Sequence, residues 1–262
     1  MTNGRRQNIV WFTLSIVLFL VVWEAVCRLL QMPAFILPPP SSVLAALWQQ
    51  RELLFGLHLW VTLREVLLGL AVSILVALVL TFLMNFSRTV ERLVYPYLVI
   101  SQTIPIIALS PVFILWFGYD LSGKIAVTIL FTFFPIVVSA FDGIRSADRQ
   151  MVQLLKTMGA NRWQVFVKLQ VPSSLPQFFS GLKVAATYSV SGATIGEWLG
   201  ASAGLGYFGR RASGNFQAPA LFASVLLLSF LGIMLFWLAG LLEKRMTGRR
   251  RKRKINKGER FL

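Results

Sequence analysis

The sequence has little of what catalytic and metal sites are usually built from. One of its 262 residues is cysteine, Cys27, and one is histidine, His58, so a framework of internal disulfides is excluded. No group of His, Cys and acidic residues has metal-site spacing, and no nucleophile elbow occurs. We therefore expect a chain that is not an enzyme, in which the single histidine, beside an apolar run, is structural rather than a ligand.

Charged residues are also scarce, at 14% of the chain, whereas soluble domains carry about 25%. Hydrophobic residues make up 56%, in continuous runs that approach the roughly 20 residues a helix needs to cross a bilayer. The first run lacks a small-residue cleavage site, so we expect it to be a span. The predicted fold is an all-α integral membrane protein with about six transmembrane helices, at residues 9–30, 60–84, 93–117, 125–144, 178–199 and 219–242.

Lysine and arginine fall mainly in alternate loops, which indicates orientation by the positive-inside rule. On the side of the membrane with few basic residues, the loops hold only Arg51, Lys124, Arg210 and Arg211. We therefore expect this side to be extracytoplasmic and both termini of this cell-membrane protein to lie in the cytoplasm. The basic end of the chain is typical of contact with anionic lipid rather than nucleic acid. The predicted division is a cytoplasmic N-terminus at 1–8, a transmembrane domain at 9–244 with a polar cytoplasmic loop at about 145–176, and a basic cytoplasmic tail at 245–262.

The polar loop contains "LLKTMGANRWQVFVKLQVPSSLP", residues 154–176. Apolar residues spaced by three and four predict a helix before Gly159, which favours a turn with positive φ. Asn161 can cap a second helix, and Pro172 and Pro176 are expected to punctuate the approach to the fifth span. The pattern fits a docking element for a partner or an amphipathic loop on the lipid surface, and both interpretations stay open on pattern alone.

The spacing of this loop resembles the signature of bacterial ABC importer permeases: Glu-Ala-Ala, three residues, Gly, nine residues, Ile, one residue, Leu-Pro. Gly159 and Pro172 match, and Leu169 and Val171 are conservative replacements. The opening triplet departs, because residues 153–155 read Gln-Leu-Leu. The stretches "ILPPPSSVLAAL", "TIPIIALSPVFILWFG" and "GEWLGASAGLGY" resemble the branch that handles nitrate, sulfonates, taurine and pyrimidine vitamin precursors.

The resemblance implies a type I importer permease in which this loop, a coupling helix-turn-helix, contacts a cytoplasmic ABC ATPase. It also implies a permease homodimer and an extracytoplasmic solute-binding protein. ATP and Mg would be bound by the ATPase, with no cofactor in this chain; residues 118–125, "GYDLSGKI", lack the Ser or Thr that a phosphate loop needs after its lysine. The residues implied to contact the ATPase are Gln153, Leu155, Met158, Gly159, Ala160, Trp163, Phe166, Leu169 and Pro172.

Charged side chains within spans are costly in lipid, and Glu24, the neighbours Arg64 and Glu65, Lys183 and Glu197 are such cases. They either pair or lie at the interface and fix helix positions, or they line a translocation path. Lys183 is expected to snorkel to the inner surface.

Small and polar residues in the third and fifth spans raise the same alternatives. Gly192 and Gly196 form a GxxxG pair, which serves internal packing or contact across a dimer. Pro105 and Pro111 predict a bend in the third span, which is a structural feature or a path lining. The residues predicted to line a path are Gln102, Thr103, Tyr188, Ser189 and Glu197.

The function implied by the resemblance is the permease subunit of an ATP-driven importer, with a thiamine or hydroxymethylpyrimidine precursor as the first choice of solute. A permease for sulfonate, taurine or nitrate is the alternative within the family. An ion-coupled secondary transporter is the alternative from another class, but the paired interrupted halves that such folds show are missing from the sequence.

Overall fold

The computed structural model describes residues 2–258. Every regular element in that range is helical, which confirms the all-α prediction, while residues 259–262 of the predicted basic tail lie outside the described residues. Two π-helical turns lie at Leu54–His58 and Phe166–Gln170. The α-helices are α1 (Thr2–Leu29), α2 (Pro40–Gln49), α3 (Arg51–Leu53), α4 (Leu59–Phe86), α5 (Arg88–Ser101), α6 (Ile106–Phe117), α7 (Leu121–Arg145), α8 (Arg149–Thr157), α9 (Arg162–Val165), α10 (Val171–Gly200), α11 (Leu205–Gly214) and α12 (Ala218–Gly258).

Among the described residues, four helical stretches are long and apolar enough to cross a membrane, or five if the bent pair α5–α6 counts as one span. This is fewer than the six spans expected from hydropathy. The differences fall at the third and fifth predicted spans. The four stretches are Val10–Leu29, Arg51–Phe86, Leu121–Arg145 and Ala218–Thr247.

The third predicted span, residues 93–117, is not one straight helix. It is divided between α5 and α6, which are bent by 110° at the break. Pro105 is the N-cap of α6, and a proline keeps the residue before it out of the helical region. At the end of α5 the Thr103 hydroxyl donates to the carbonyl of Ile100 at 2.7 Å. The break is therefore a local effect of the proline.

The fifth predicted span, residues 178–199, lies inside α10, whose 30 residues extend well beyond it. Because α10 contains many small and polar side chains, it is not among the helices that are apolar enough to count as membrane spans. Pro172 and Pro176 do not interrupt the chain as expected. Pro172 directly follows the π-helical turn that joins α9 to α10, and Pro176 lies inside α10. One unbroken helical rod therefore runs over residues 162–200.

The chain forms two compact units, and the first contains residues 2–61 and 203–228. In it Glu24 pairs with Arg28 at 2.6 Å and accepts the Ser41 amide at 3.0 Å, which ties α1 to α2. Helix α2 begins at Pro40 without a side-chain cap, and proline suits this first helical position. The core of this unit consists of Val43, Leu54, Leu205, Phe208, Ala212, Ala220, Ala223 and Leu227.

The second unit contains residues 62–202 and the chain from residue 229 onward. The residues of its hydrophobic core come from helices α4, α5, α7, α10 and α12, so the core lies among helices far apart in sequence. That core consists of Ala77, Met84, Leu98, Ile136, Val137, Phe141, Phe179, Leu182, Ala185 and Ala239.

Glycines let α10 approach α7 closely within this unit. A Cβ atom at Gly192 would lie 2.9 Å from the Cα of Thr128, and one at Gly196 would lie 3.2 Å from the Cα of Lys124. Both neighbours are backbone atoms, which a helix cannot easily move. The GxxxG pair therefore serves packing inside the chain.

We expect Gly192→Ala to destabilise the protein, because its new methyl group would meet the backbone of α7. Overpacking of this kind costs about 1–3 kcal/mol. Gly240→Ala is the matched control, since a Cβ at Gly240 in α12 would meet nothing within 4 Å. That control should be neutral or stabilising by up to about 1 kcal/mol. Melting temperatures of the two detergent-solubilised variants test the difference, and equal values would contradict it.

Candidate functional site

The polar loop folds as a helix, a turn and a helix. The Asp148 carboxylate accepts the Gln150 amide at 2.8 Å and caps the start of α8. At the other end Gly159 has φ of 81°, and the amide of Ala160 donates to the carbonyl of Leu155 at 2.9 Å. This is the glycine-dependent helix ending in which the residue past the helix turns left-handed. Gly159 therefore sets the direction in which the chain leaves α8.

The second arm of the loop begins at a reciprocal cap. The Asn161 side chain accepts the Gln164 amide at 2.8 Å, and the Gln164 side chain accepts the Asn161 amide at 2.9 Å. Such a capping box satisfies two amides that a helix start leaves unpaired. The arm then continues through the π-helical turn into α10. The second arm is therefore one end of the rod at residues 162–200.

Four aromatic rings fix this arm to the end of α4. Phe82 and Phe86 of α4 meet Trp163 and Phe166, with ring centroids 5.2 Å apart for Phe86 and Phe166 and 6.0 Å apart for Phe86 and Trp163. The Arg162 guanidinium lies over the Phe86 ring at 5.1 Å and donates to the carbonyl of Asn85 at 2.5 Å. Tilted ring pairs and a cation over a ring add to the apolar burial.

The first arm has no comparable anchor. Helix α8 buries none of its side chains, and Met151, Leu154 and Met158 are exposed on it. Met158 is the most exposed of the three, at 74%. Arg149 and Lys156 add positive charge to the same helix. An apolar stripe with basic neighbours on an otherwise unsupported helix is a surface suited to a partner.

The residues predicted to contact the ATPase divide by exposure. Phe166 is buried in the ring cluster, so a partner reaches it only if the cluster opens. The half-buried members are Leu155, Ala160, Leu169 and Pro172, and the exposed members are Gln153, Met158, Gly159 and Trp163.

The residues predicted to line a path do not form one cluster. Gln102 and Thr103 are exposed at the break between α5 and α6, whereas the other three lie on α10. Tyr188 is 48% exposed, but Ser189 is buried and donates to the carbonyl of Ala186 at 2.7 Å. Glu197 is buried too. The path assignment remains a prediction, and Tyr188 is the α10 member that reaches the surface of the chain.

A buried charge site connects three spans. Lys124 of α7 donates to the Glu65 carboxylate of α4 at 2.9 Å, and these residues are 8% and 0% exposed. Beside them the Thr62 hydroxyl donates to the Glu197 carboxylate of α10 at 2.5 Å. The second carboxylate oxygen of Glu65 has no hydrogen-bond partner in the part of the chain that the structure describes. The site thus depends on Lys124 for its compensating positive charge.

This site corrects two expectations from the sequence. Lys124 was expected in a loop, but it lies in the first turns of α7, which begins at Leu121. Glu65 pairs with Lys124 rather than with its neighbour Arg64, which is exposed. The available signal was the cost of charge in lipid, because ionisable side chains within spans usually pair with one another.

Lys183 also differs from expectation. Instead of extending alone to a membrane surface, its ammonium group pairs with the Glu243 carboxylate of α12 at 2.6 Å and lies 6.0 Å from the centre of the Phe236 ring. Both side chains of the pair are about one-quarter exposed. The pair joins α10 to α12 within the second unit.

Comparison with known proteins decides the family. The model of the family described as binding-protein-dependent transport system inner membrane component matches residues 66–248. This chain belongs to that family. The permease is therefore a multi-pass membrane subunit of an ABC importer and not an enzyme. Membership in the family implies an ATPase and a solute-binding protein as partners.

Relatives of the permease confirm the predicted branch. The formylaminopyrimidine transport permease protein ThiX of Halalkalibacterium halodurans is 48% identical over 224 residues, covering 86% of this chain and 89% of the relative. The riboflavin transport system permease protein RibX of Chloroflexus aurantiacus is 36% identical, covering 88% and 86%. The putative aliphatic sulfonates transport permease protein SsuC of Bacillus subtilis is 28% identical, covering 87% and 83%.

A solved structure agrees with the fold. A chain of the MetNI methionine ABC transporter in an inward-facing conformation superposes with a TM-score of 0.66. The two sequences are 19% identical, and the match covers 76% of this chain and 98% of that one. The predicted fold of a type I importer permease is thereby confirmed.

Proposed function

We propose that the permease imports a pyrimidine precursor of thiamine, in the class of formylaminopyrimidine or hydroxymethylpyrimidine. The observation that carries the proposal is the 48% identity to a formylaminopyrimidine permease over most of both chains. The identity is markedly lower for the riboflavin and sulfonate relatives. The solute is selected chiefly by the extracytoplasmic binding protein, and the permease forms the path across the membrane as a homodimer in contact with lipid.

The loop at residues 145–176 is the proposed contact for the ATPase, which binds ATP and Mg. Two features support this role. The exposed apolar stripe of α8 offers a surface, and the aromatic anchor on α4 holds the second arm in place. The excess of Lys and Arg in the loops on that side favours a cytoplasmic position, with both termini inside.

Movement transmitted by the ATPase would enter through α8 and reach the spans along the rod at residues 162–200. The backbone is helical without a break from Arg162 to Gly200, so displacement at Arg162 would be carried toward Glu197 at the far end. The rod would thus link nucleotide binding to the alternate opening of the path.

The solute assignment is tested by uptake into cells or vesicles that contain the permease, the ATPase and the cognate binding protein. We expect ATP-dependent accumulation of labelled formylaminopyrimidine or hydroxymethylpyrimidine, abolished when the ATPase is deleted. Taurine, an aliphatic sulfonate, nitrate and riboflavin serve as competitors and as alternative labelled solutes. Preferential accumulation of any of these would overturn the solute assignment, and uptake that persists without the ATPase would overturn the importer mechanism.

A further inference from the structure

A cavity of about 240 Å³ lies within the unit formed by residues 2–61 and 203–228. Its base is buried, and several residues at its rim are exposed, so it opens to the surface of the chain. It is lined by Gln50, Leu53, His58, Tyr207, Phe208, Arg211, Ala212, Asn215 and Gln217.

The buried side of the cavity is held by the single histidine. The amide of Gly204 donates to Nδ1 of His58 at 3.0 Å, and the ring packs against Phe208 with centroids 5.3 Å apart. Gly204 has φ of 125°, a conformation that favours glycine, and this places its amide at the start of α11. A ring nitrogen that accepts a hydrogen bond carries no proton, so the imidazole is neutral in this geometry.

The electrostatics of the cavity are therefore set by Arg211. Its exposed guanidinium has no carboxylate oxygen within 4.0 Å among the described residues. Gln50, Asn215 and Gln217 also line the cavity, and their side-chain amides can donate hydrogen bonds. Among the described residues, no acidic side chain lines the cavity. An arginine with amide donors and no acid is complementary to a carboxylate.

We propose that this cavity receives an aspartate or glutamate side chain of the extracytoplasmic binding protein, which pairs with Arg211. The inference rests on the proposed function, since the charge distribution that puts α8 in the cytoplasm puts residues 31–59 and 200–218 on the opposite side. A cavity of about 240 Å³ admits one such side chain with a few water molecules, each of which occupies roughly 30 Å³ in the liquid. A formylated aminopyrimidine has no carboxylate, so the protein partner rather than the solute supplies the acid.

Arg210 makes a sharp test possible. It precedes Arg211 in α11 and is likewise exposed, but it is not among the residues that line the cavity. Arg211→Glu and Arg210→Glu therefore change the charge of the same helix by the same amount, and they differ in whether the cavity is affected. Long-range attraction between the two proteins falls equally in both variants, whereas a specific contact is lost in one.

The measurement is the binding-protein concentration that gives half-maximal stimulation of ATP hydrolysis by the reconstituted permease–ATPase complex. Loss of a paired charge at an interface predicts at least about a 30-fold increase for Arg211→Glu. Arg210→Glu should change it by less than about threefold. Melting temperature and copurification with the ATPase show that the variants are folded. Changing the acidic residue of the binding protein that pairs with Arg211 to lysine should restore stimulation of ATP hydrolysis by the complex that carries Arg211→Glu.

Equal half-maximal concentrations for Arg211→Glu and the unmodified complex would overturn the inference. The inference would also be overturned if acetate bound in the cavity and left the stimulation of ATP hydrolysis by the binding protein unchanged. That result would identify the cavity as a site for small anions. Failure of the proposed function is distinguished from these results, because the unmodified permease would then neither copurify with an ATPase nor respond to a binding protein.

Discussion

Replacing Lys124 by methionine is expected to destabilise the permease by about 3–5 kcal/mol, the usual cost of leaving a buried charge without its partner. The Glu65 carboxylate is completely buried, and Lys124 supplies the cation at 2.9 Å. Lys124→Met keeps much of the side-chain volume, so lost packing contributes little. The variant should melt at a markedly lower temperature in detergent and reach a lower level in the membrane.

Two further variants show whether charge is the cause. Glu65→Gln combined with Lys124→Met removes the Glu65–Lys124 pair but keeps the neighbouring Glu197, and it should recover part of the lost stability, since a neutral pair of similar shape is often as stable as a buried ion pair. Lys183→Met breaks the partly exposed pair with Glu243 and should cost about 1 kcal/mol or less. A double variant as unstable as Lys124→Met would show that the ammonium group is not neutralising Glu65.

The second large effect is expected at Met158, which is 74% exposed at the end of α8. If α8 is covered by the ATPase, Met158→Glu places an unpaired carboxylate in an apolar contact. An unpaired buried charge costs several kcal/mol, so affinity for the ATPase should fall at least about 100-fold. Copurification with the ATPase and transport should then both be lost.

The controls separate charge from position. Met158→Leu keeps an apolar side chain of similar size and should copurify with the ATPase normally. Met246→Glu introduces the same charge at an exposed methionine of α12 and should leave copurification within about threefold of normal. Retention of the ATPase by Met158→Glu would reject α8 as the contact and favour a loop that rests on lipid.

Local signals predicted the loop well. Gly159 and Asn161 specify a turn and a cap within a few residues of themselves, and the structure has both there. The aromatic anchor was missed because Trp163 and Phe166 pack on rings of α4 about 80 positions earlier in the sequence. Nothing in the pattern of the loop distinguishes an apolar residue that packs inward from one that faces a partner.

Hydropathy located most of the spans but not their continuity. Hydropathy predicts residues 93–117 as one span, although the chain changes direction between α5 and α6, next to Pro105. It also placed Lys124 in a loop, because the preceding residues, with Gly118 and Gly123, are typical of a turn. The partner that makes Lys124 tolerable inside the bundle is Glu65, and pairing over that separation is a tertiary property.

The separation also has a consequence for biogenesis. Glu65 precedes Lys124 by 59 residues, and a ribosome that adds about 5–20 residues per second needs roughly 3–12 s to synthesise that interval. During this delay the acid of α4 has no cation to meet. The final packing of α4 in the bundle therefore requires α7, which is synthesised later.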